Sequence, residues 1–513
     1  MRLSSLLAGL KVEVRRGASA PEDPRVCDFT EDSRTALPGS LFVARPGLVS
    51  DGRRYIEDAV KAGAQVVLTD AQGASGVPAR AVAVICEDLP LMASIMAERF
   101  FGDPSSRLTL AAVTGTNGKT TTAHLTRGLL SACGVRCGMV GSIEVDDGAQ
   151  ITQAQLTTPT ASELSQLFSV MVEHGCTAAV IEASSHAIHQ RRVAALDIDV
   201  AAFTNLTQDH LDYHGSMENY GAAKAELFSW LKPSALAVVN AEDPSHAIML
   251  TDCGCREMLL YPSGRDTLEE DEATIRWRPA STGLGMQIEA VGPWGTVSGT
   301  VPLIGAFNSA NLLTAISIAH GMGLEAHEMS AALPTLTAPA GRLEPVTPAG
   351  APFTVLVDFA HTPDALANAI RAVRPVVQGA GLLRVVFGCG GDRDRAKRSL
   401  MGRAVMDAAD VVYVTSDNPR TESPSSIIDE VLSGLSLEER REVVVHVDRR
   451  MAIRAAVGDL KPGDVLLIAG KGHEPYQLLP DPNAPGGIRR ISFDDRQEAR
   501  IAIESRTGVR QGA

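Results

Sequence analysis

Short β-branched runs alternate with alanine- and leucine-rich stretches of helical character along the whole chain. Strands separated by helices in this way predict parallel sheets made of right-handed β-α-β units, and therefore an α/β protein. Binding sites in open sheets of this kind lie outside the carboxyl ends of the strands, which is where the polar clusters of this chain fall. An antiparallel excursion is expected from about 266 to 300. The runs interpreted as strands are AQVVLTD, AVAVICED, LTLAAVTG, TAAVIEAS, DVAAFTN, LAVVNAED, FTVLVDFA, LRVVFGCGG, DVVYVTSD and DVLLIAGKG.

The chain has 513 residues, which is too long for one hydrophobic core, and a prior of ~150 residues per domain suggests about three domains. Glycine and proline interrupt the periodic pattern in FFGDPSSRLTL, around Pro104, and in LPTLTAPAGRLEPV, around Pro339. Such breakers between periodic segments are typical of linkers. They predict domains at 1–104, 105–338 and 339–513.

Composition excludes several classes of protein. The chain is 45% apolar and 21% charged, as in an ordinary folded protein, and its net charge of −14 argues against a nucleic-acid binder. A basic pocket within an acidic whole stays compatible with these numbers. The 8 cysteines form no C-x2-C pairs, so we expect reduced thiols. Cys253-Gly-Cys255 is a candidate redox pair, but no companion motif supports that role.

The N-terminus resembles a secretory signal at first sight. LSSLLAGL is followed by ASA, which mimics a cleavage site, but the charged segment from Lys11 to Arg16 lies where an apolar core would have to continue. No uncharged apolar run reaches ~18 residues, the length of a membrane span. We therefore expect a cytoplasmic protein that does not interact with membranes.

The stretch AVTGTNGKTTTAHL predicts a phosphate site of unusual form. The common phosphate loop is G-x-x-x-x-G-K-[ST], but Val113 stands at the position of the opening glycine and the nearest glycine is Gly115. A strand, a glycine turn and a helix still follow one another, which favours phosphate at the helix N-terminus. Lys119 would then neutralise phosphate charge, and Thr120 would bind Mg²⁺. The alternative is a glycine turn capped by threonines.

Two polar groups follow later strands. Glu182 lies at the carboxyl end of AVIEASSH, where a buried acid requires a partner or a metal ion, while Ser184 and Ser185 suit the start of a helix. His210 and His214 have the i, i+4 spacing of a helical zinc pair. Because no third soft ligand accompanies them, their spacing alone favours an ordinary structural role.

Together these stretches resemble one protein family. The ordered motifs TGTNGKTTT, IEASSHAI, FTNLTQDHLDYHG, AAKAELF, GAFNSANLLTA, GRLE, VDFAHTPDAL and GCGGDRDRAKR are similar to those of the Mur ligase family, the ATP-dependent amino-acid-adding enzymes of peptidoglycan synthesis. The similarity runs from about residue 30 to the SFDDRQEAR tail. The family loop is G-T-N-G-K-[ST], which accounts for the missing opening glycine.

The resemblance implies an N-terminal domain for the uridine nucleotide, a central phosphate-loop ATPase domain and a C-terminal Rossmann-like domain for the amino acid. The implied reaction adds meso-2,6-diaminopimelate to UDP-N-acetylmuramoyl-L-alanyl-D-glutamate through an acyl phosphate, with ATP as co-substrate. The partners are therefore small molecules, and we expect a monomer. The alternatives are a lysine-adding member of the family and a nucleotide-binding regulator that forms no bond.

The resemblance also implies an ATP and metal site. Glu182 and Thr120 would hold one Mg²⁺, His210 would help to hold a second, and Lys224 would be carbamylated by CO₂ to give an anionic ligand. Otherwise Lys224 would be a solvent-facing lysine, and Asp358 would only cap the helix that follows it. The implied catalytic residues are Lys119, Glu182, His210 and Lys224. The implied ATP contacts are Gly115, Thr116, Asn117, Gly118, Lys119, Thr120, Thr121, Asn308, Asn311, Arg342, Asp358 and His361.

The implied site for the UDP substrate spans two regions. The segment LVS before DGR departs from the more polar HQA that the family pattern would give, and without the resemblance this region is a turn-rich strand pair. Arg192 offers a planar fork for a carboxylate or pyrophosphate, and a surface salt bridge is its alternative role. The implied contacts are Glu31, Ser33, Leu48, Val49, Ser50, Leu156, Thr157, Thr158, Pro159, Ser184, Gln190 and Arg192.

The implied diaminopimelate site centres on SDNPRTESP. Arg420 would form a bidentate pair with the distal carboxylate, which lysine lacks, so DNPR argues against a lysine-adding enzyme. Glu474 would bind the distal ammonium. Pro419 at the corner of a β-turn is the structural alternative. The implied contacts are Arg393, Asp417, Asn418, Pro419, Arg420, Gly470 and Glu474.

Overall fold

A computed structural model describes residues 1–47, 51–280, 284–348 and 350–507. The chain divides into two compact units. The first unit contains Met1–Thr274, Val291–Thr296 and Asn311–Ala332, and the second contains Ile275–Ala290, Val297–Ala310 and Leu333–Ala513.

The first unit begins with a parallel sheet and its helices. The strands are β1 (Glu13–Arg16), β2 (Asp28–Thr30), β3 (Ser40–Ala44), β4 (Val66–Thr69) and β5 (Val82–Ile85), and the helices are α1 (Leu3–Leu6), α2 (Ile56–Ala62) and α3 (Leu89–Phe100). Their order is β1-β5-β4-β3-β2, and β1 alone of these strands runs antiparallel to its neighbour. Strands β3, β4 and β5 are buried along their whole length, as apolar strands of parallel sheets are.

A larger sheet forms the rest of the first unit. Its strands are β6 (Thr109–Thr114), β7 (Cys137–Val140), β8 (Glu144–Asp146), β9 (Ile151–Gln153), β10 (Ala178–Glu182), β11 (Val200–Phe203), β12 (Leu236–Asn240) and β13 (Arg256–Tyr261), and its helices are α4 (Lys119–Ala132), α5 (Ala161–Glu173), α6 (Ser185–His189), α7 (Leu211–His214), α8 (Met217–Ser229) and α9 (His246–Leu250). The order is β13-β12-β11-β6-β10-β7-β8-β9, parallel from β13 to β7. Because β11, β6 and β10 are neighbours, the loops after them meet at one edge.

The next segment contributes residues to both units. Its elements are β14 (Glu272–Pro279), β15 (Met286–Gly292), β16 (Gly295–Val301), α10 (Phe307–Gly321) and α11 (Ala326–Ala332). Strand β14 pairs in parallel with β13, as in Leu260 opposite Ala273. The expected antiparallel excursion is therefore wrong for its first strand, because the loop at 262–271 returns the chain to the end where β13 began.

The second unit contains a six-stranded sheet and a hairpin. Its strands are β17 (Glu344–Pro345), β18 (Thr354–Asp358), β19 (Leu383–Cys389), β20 (Val411–Ser416), β21 (Val444–Val445), β22 (Val465–Ala469), β23 (Tyr476–Pro480) and β24 (Ile488–Ser492), and its helices are α12 (Pro363–Val373), α13 (Ala396–Met406), α14 (Pro424–Leu432), α15 (Glu439–Glu442), α16 (Arg449–Gly458) and α17 (Asp495–Thr507). The order is β17-β18-β22-β19-β20-β21, with β17 antiparallel, and β23 pairs with β24. The carboxyl ends of β22, β19 and β20 are therefore adjacent.

All ten runs interpreted as strands form strands, and those in the two large sheets pair in parallel. Helix starts also follow sequence signals: Thr160 and Glu163 form a capping box at α5, and Thr362 caps α12 immediately before Pro363. The predicted α/β class with mostly parallel sheets is confirmed. In the described ranges, no helix has both the length and the apolar character that a membrane span requires.

Candidate active site

The loop between β6 and α4 has a backbone conformation that requires glycine at two positions. Gly115 has a φ of 143° and Gly118 a φ of 90°, in the left-handed region that favours glycine. A Cβ atom on Gly115 would lie 1.9 Å from Thr204 Oγ1, and one on Gly118 would lie 2.4 Å from Asn311 Oδ1. Conformation and packing thus both require glycine. The loop leads into the N-terminus of α4, whose N–H groups favour an anion.

A second loop, after β11, holds the phosphate loop in shape. Thr116 N donates to Asn205 O at 2.8 Å, and Asn117 N donates to Asn205 Oδ1 at 3.0 Å. Thr204 Oγ1 donates to Asn117 O at 2.6 Å. Thr204 and Asn205 were absent from the predicted site. Their position directly after a strand that adjoins β6 is the signal that points to them.

Two lysine amines converge on one carbonyl of the phosphate loop. Lys119 Nζ donates to Gly115 O at 2.9 Å and to Thr116 O at 3.0 Å, and Lys224 Nζ donates to Gly115 O at 2.9 Å. Lys224 is only 1% exposed, so the alternative of a solvent-facing lysine is wrong. Burial, and then the charge of Lys119, hold the pKa of Lys224 well below its usual value. Its surroundings thus shift the equilibrium of Lys224 towards the neutral amine.

Glu182 lies at the carboxyl end of β10, as predicted, and is 1% exposed. Its carboxylate accepts from Thr120 Oγ1 at 3.0 Å, from Ser142 Oγ at 2.9 Å and from Ser142 N at 2.7 Å. Ser142 Oγ also lies 3.1 Å from Thr157 Oγ1, while Thr121 is buried in α4. Ser142 was not predicted. It follows β7, the neighbour of β10, and completes the shell around a carboxylate that burial would otherwise destabilise.

The two histidines of the DHLDYH stretch occupy different environments. His210 is exposed, precedes α7 and has a φ of 51°, whereas His214 is buried with Nε2 3.0 Å from Ser185 Oγ. Burial lowers the pKa of His214 to about 4, and the neighbouring positive groups add to the shift. The ring centroid of His186 lies 4.8 Å from that of His210. Nowhere in the described ranges do three His, Cys, Asp or Glu side chains form a metal-binding group.

A cavity of about 1630 Å³ opens in the first unit between the N-terminal sheet and the start of α5. Glu31, Ser33 and Gln190 of the predicted UDP-substrate site line it, together with Arg45. Glu31 Oε2 lies 3.0 Å from Arg45 Nη2, and burial raises the pKa of Glu31. Arg45 was not predicted. The predicted contacts at 48–50 lie outside the described residues.

Four residues predicted for the muramoyl peptide are joined by hydrogen bonds. Thr158 Oγ1 donates to Glu182 O at 2.6 Å and accepts from Ser184 N at 3.0 Å. Arg192 Nη1 donates to Thr158 O at 2.7 Å, and Arg192 Nη2 donates to Gln190 Oε1 at 2.8 Å. These bonds orient the guanidinium group and link the region to the carboxyl end of β10.

The remaining residues of this region have simpler environments. Ser184 caps α6 by accepting from Ala187 N at 3.3 Å, so the helix-start interpretation is confirmed for it. Leu156 is 49% exposed, whereas Pro159, three residues later, is buried.

The two asparagines of GAFNSAN lie at the start of α10. Asn308 Nδ2 donates to Ile304 O at 2.7 Å, among residues of the second unit. Asn311 belongs to the first unit, where its Oδ1 approaches Gly118 as described above. Asn311 thus contacts the phosphate loop, and Asn308 braces the turn before its own helix.

In the second unit, two predicted ATP contacts, Arg342 and His361, flank one aromatic ring, and a third, Asp358, precedes that ring in the chain. Arg342 Cζ lies 4.9 Å from the centroid of the Phe359 ring, and the His361 ring lies 4.7 Å from it. Asp358 is buried, accepts from two backbone N–H groups at 2.8 Å, and has its pKa raised by burial. It does not cap the following helix, because Thr362 does so. The capping alternative for Asp358 is therefore wrong.

The predicted diaminopimelate contacts assemble at the carboxyl ends of β19, β20 and β22. Asn418 Nδ2 donates to Glu474 Oε2 at 2.8 Å, and Arg420 Nη1 donates to Gly391 O at 2.7 Å. The turn is present, but Pro419 opens it, since Glu422 N donates to Pro419 O at 3.0 Å. Arg420 follows Pro419 with a φ of 53°, so the turn itself places the guanidinium.

Asp417, Gly470 and Arg393 complete this cluster. Gly470 has a φ of 118°, and a Cβ atom there would lie 3.2 Å from Asp417 Oδ2. Arg393 is exposed; its Cγ and Arg420 Nη1 both lie within 3.8 Å of the position that a Cβ atom on Gly390 would take. Two arginine side chains from different loops thus lie near the same glycine. Lys471, which was not predicted, lies buried among these residues.

The parallel sheets, the glycine loop before α4 and the charged clusters at strand ends define an α/β protein of the phosphate-loop class. Residues 30–100 match the Mur ligase family catalytic domain, residues 113–319 the Mur ligase middle domain and residues 341–472 the Mur ligase glutamate ligase domain. The chain belongs to the Mur ligase family.

Named relatives and a solved structure agree with this assignment. The UDP-N-acetylmuramoyl-L-alanyl-D-glutamate–2,6-diaminopimelate ligase of Synechococcus elongatus is 41% identical over 99% of both chains. The protein of the same name from Gloeobacter violaceus is also 41% identical over 99% of both chains. A solved structure of a ligase with this name is 32% identical, covers 94% of this chain and 95% of its own, and has a TM-score of 0.67.

Proposed function

We propose that this protein is an ATP-dependent ligase that adds meso-2,6-diaminopimelate to UDP-N-acetylmuramoyl-L-alanyl-D-glutamate, for peptidoglycan precursor synthesis in the cytoplasm. The observation that carries the proposal is the strand-end cluster of the second unit, where Arg420 and Glu474 present opposite charges on adjoining loops. Diaminopimelate has a carboxylate and an ammonium group at its distal end, and this cluster offers a partner for each. The names of the 41% identical relatives support the same substrates.

Arg420 separates this proposal from a lysine-adding enzyme. Its guanidinium can form a bidentate pair with a distal carboxylate. Lysine has no anion at that position, so its binding would leave Arg420 without a counterion. Asp417, Asn418, Gly470 and the Arg393 loop would enclose the same end of the substrate.

The phosphate loop would bind ATP. Lys119 and the N-terminus of α4 would screen the repulsion between the triphosphate and the attacking carboxylate. The γ-carboxylate of the D-glutamyl residue would attack the γ-phosphorus to give an acyl phosphate and ADP. The amine of diaminopimelate would then attack the carbonyl carbon, form the amide, lose a proton and release phosphate.

The donor set at the carboxyl end of β10 fits Mg²⁺. Thr120 and Glu182 would hold one ion, since oxygen donors suit this metal, and His210 would contribute an imidazole nitrogen to a second. Mg²⁺ would supply charge neutralisation at the phosphates. The buried amine of Lys224, whose pKa is lowered by burial, fits reaction with CO₂ in its neutral form: a C–N bond forms, a proton leaves, and the resulting carbamate presents anionic oxygens.

The cavity beside Glu31 and Ser33 would receive the UDP substrate, and the Thr158–Arg192 network would bind its peptide end. At about 1630 Å³ it is large enough for a nucleotide sugar. The same proposal includes the domain ranges 1–104, 105–338 and 339–513, a monomeric state, and ATP contacts from Asn308, Asn311, Arg342, Asp358 and His361.

A product-mass experiment tests the proposal. The enzyme is supplied with UDP-N-acetylmuramoyl-L-alanyl-D-glutamate, ATP, Mg²⁺ and an equimolar mixture of meso-diaminopimelate and L-lysine, and the products are weighed. We expect the diaminopimelate adduct to dominate, whereas a dominant lysine adduct would identify a lysine-adding enzyme.

A protein that only binds nucleotide would release no phosphate that depends on both the UDP substrate and the amino acid. Oxygen-18 in the glutamyl carboxylate must also appear in the phosphate released.

A further inference from the structure

Lys471 is the centre of a buried charge network that the proposed function does not yet use. Its side chain is 0% exposed, and Nζ donates to Asn418 Oδ1 and to Glu474 Oε2, both at 3.1 Å. The same nitrogen lies 3.6 Å from Asp417 Oδ1. One ammonium group therefore contacts three residues that are proposed to hold the distal end of diaminopimelate.

We infer that Lys471 is a specificity-determining positioning residue, which fixes Asn418 and Glu474 so that the site selects diaminopimelate over lysine. The inference rests on the proposed function. It assigns Lys471 no contact with substrate. Its role is exerted through the two side chains that it orients.

Lys471 determines which way the Asn418 amide points. Asn418 Oδ1 accepts from Lys471 Nζ and from Leu478 N at 3.0 Å, while Nδ2 donates to Glu474 at 2.8 Å. A flipped amide would place its N–H groups against the ammonium and the Leu478 N–H, and its oxygen against the Glu474 carboxylate. The ammonium group thus stabilises one orientation strongly.

Lys471 also sets the charge of the part of the site that would bind the ammonium. There Asp417 and Glu474 supply two negative charges and Lys471 supplies one positive charge, which leaves one net negative charge for one substrate ammonium, while Arg420 is available for the distal carboxylate. Without Lys471 the second negative charge is uncompensated. It would attract the distal ammonium of either amino acid and repel the distal carboxylate that only diaminopimelate has. Loss of the lysine should therefore weaken discrimination, and not only affinity.

The framework under Lys471 is rigid, which lets one residue determine this geometry. Lys471 comes two residues after the end of β22, where Arg449 Nη2 donates to Ala469 O at 2.9 Å. Arg449 Nε in turn donates to Asp495 Oδ1 at 2.7 Å, and both side chains are fully buried. The strand end therefore has little freedom to compensate for a change at Lys471.

The test compares Lys471→Met with wild type and with Lys461→Met, a control at an exposed lysine of the same unit. Competition between meso-diaminopimelate and L-lysine gives the ratio of their kcat/KM values. We expect this ratio to fall at least about tenfold in Lys471→Met, the effect of one charged hydrogen bond. The KM for ATP should stay within about twofold, and Lys461→Met should match wild type.

An unchanged ratio of the two kcat/KM values, including equal losses with both amino acids, would overturn the inference. Lys471→Gln, which loses the charge but keeps polar atoms, gives the same comparison if Lys471→Met does not fold. Failure of both neutral variants to fold would assign the lysine to stability alone and also overturn it. A wild-type enzyme that forms no adduct with either amino acid would instead refute the proposed function.

Discussion

At the scale of single residues, the site depends on charged groups that are held out of water at strand ends. Glu182 retains three hydrogen-bond donors, whereas the Lys224 amine donates to a carbonyl oxygen beside Lys119. Burial of an ammonium next to another ammonium is costly, and this cost lowers the pKa of Lys224. A lowered pKa shifts the equilibrium towards the neutral amine, which is the nucleophilic form of a lysine.

Lys224→Ala should abolish ligation while ATP still binds, because the variant cannot form the carbamate but keeps the phosphate loop. Ligation is measured by adduct mass, ATP binding by calorimetry, and the carbamate by a carbon-13 signal after equilibration with labelled bicarbonate. Lys61→Ala, at an exposed lysine, is the control and should resemble wild type in all three. Normal turnover of Lys224→Ala would rule out the carbamate.

Arg420→Ala should lower kcat/KM for diaminopimelate by at least ~10-fold, because a hydrogen bond to a charged group contributes ~1.5–3 kcal/mol. The KM for the UDP substrate should change little. Arg441→Ala removes an exposed arginine of the same unit and serves as the control. Near-normal kinetics with diaminopimelate in Arg420→Ala would refute the assigned role.

At the scale of elements, sequence periodicity predicted the central strands because those strands are apolar and buried on both faces. It missed β7, although that strand is buried, the longer strands β1, β13, β23 and β24, and the short strands β8, β9, β17 and β21. β7 reads CGMV, and its glycine weakens the strand signal. Strands of two or three residues form only because they pair with neighbouring strands, and the local sequence does not show which strands will be neighbours.

The site shows the same division between local and distant information. Motif residues such as Lys119 and Arg420 lie in segments that directly follow a strand, so the strands determine where these residues are placed. Ser142 and Lys471 act through partners 40 and 53 positions away, Glu182 and Asn418. No spacing in the sequence links such pairs, so only the assembled sheet reveals them.

Gly115→Ala should weaken ATP binding at least ~10-fold, because a methyl group would lie 1.9 Å from Thr204 Oγ1 at a φ of 143°. Gly134→Ala is a matched control at the end of α4, with a φ of 84° but no heavy atom within 4 Å of the added carbon. It carries a similar backbone penalty without the clash. Equal ATP affinities of the two variants would contradict the role of close packing in the loop.

Asp495→Asn should destabilise the second unit by ~3–5 kcal/mol, because it leaves the fully buried Arg449 without its counterion. Urea unfolding followed by hydrogen exchange of the second unit measures the loss. Asp407→Asn breaks the partly exposed pair with Arg403 and should cost ~0–1 kcal/mol. Similar losses in the two variants would contradict the importance of burial.

At the scale of the whole molecule, the fold places basic groups selectively within an acidic chain of net charge −14. Lys119, Arg192 and Arg420 all lie at carboxyl ends of parallel strands or in the segments that follow them, where anionic substrates would bind. The acidic remainder offers no general attraction to polyanions. Local basic sites in an acidic protein thus suit small anionic substrates better than nucleic acid.

Histidines whose pKa is lowered in the folded protein should make global stability depend on pH. Burial, and then the charge of Arg127, lower the pKa of His124 from 6.5 to about 4. Between these values the unfolded chain binds a proton that the folded chain does not, so stability is lost as pH falls from 6.5 towards 4. At pH 4.5 the loss of unfolding free energy that is due to His124 is ~2 kcal/mol, relative to neutral pH.

His124→Gln removes this term, so its urea midpoint should fall less than that of wild type between pH 7 and pH 4.5. His327→Gln is the control, because His327 is exposed in the folded protein. This variant should follow the wild-type curve. Parallel curves for wild type and His124→Gln would show that His124 is protonated in the folded protein. That result would contradict the lowered pKa of His124 in α4.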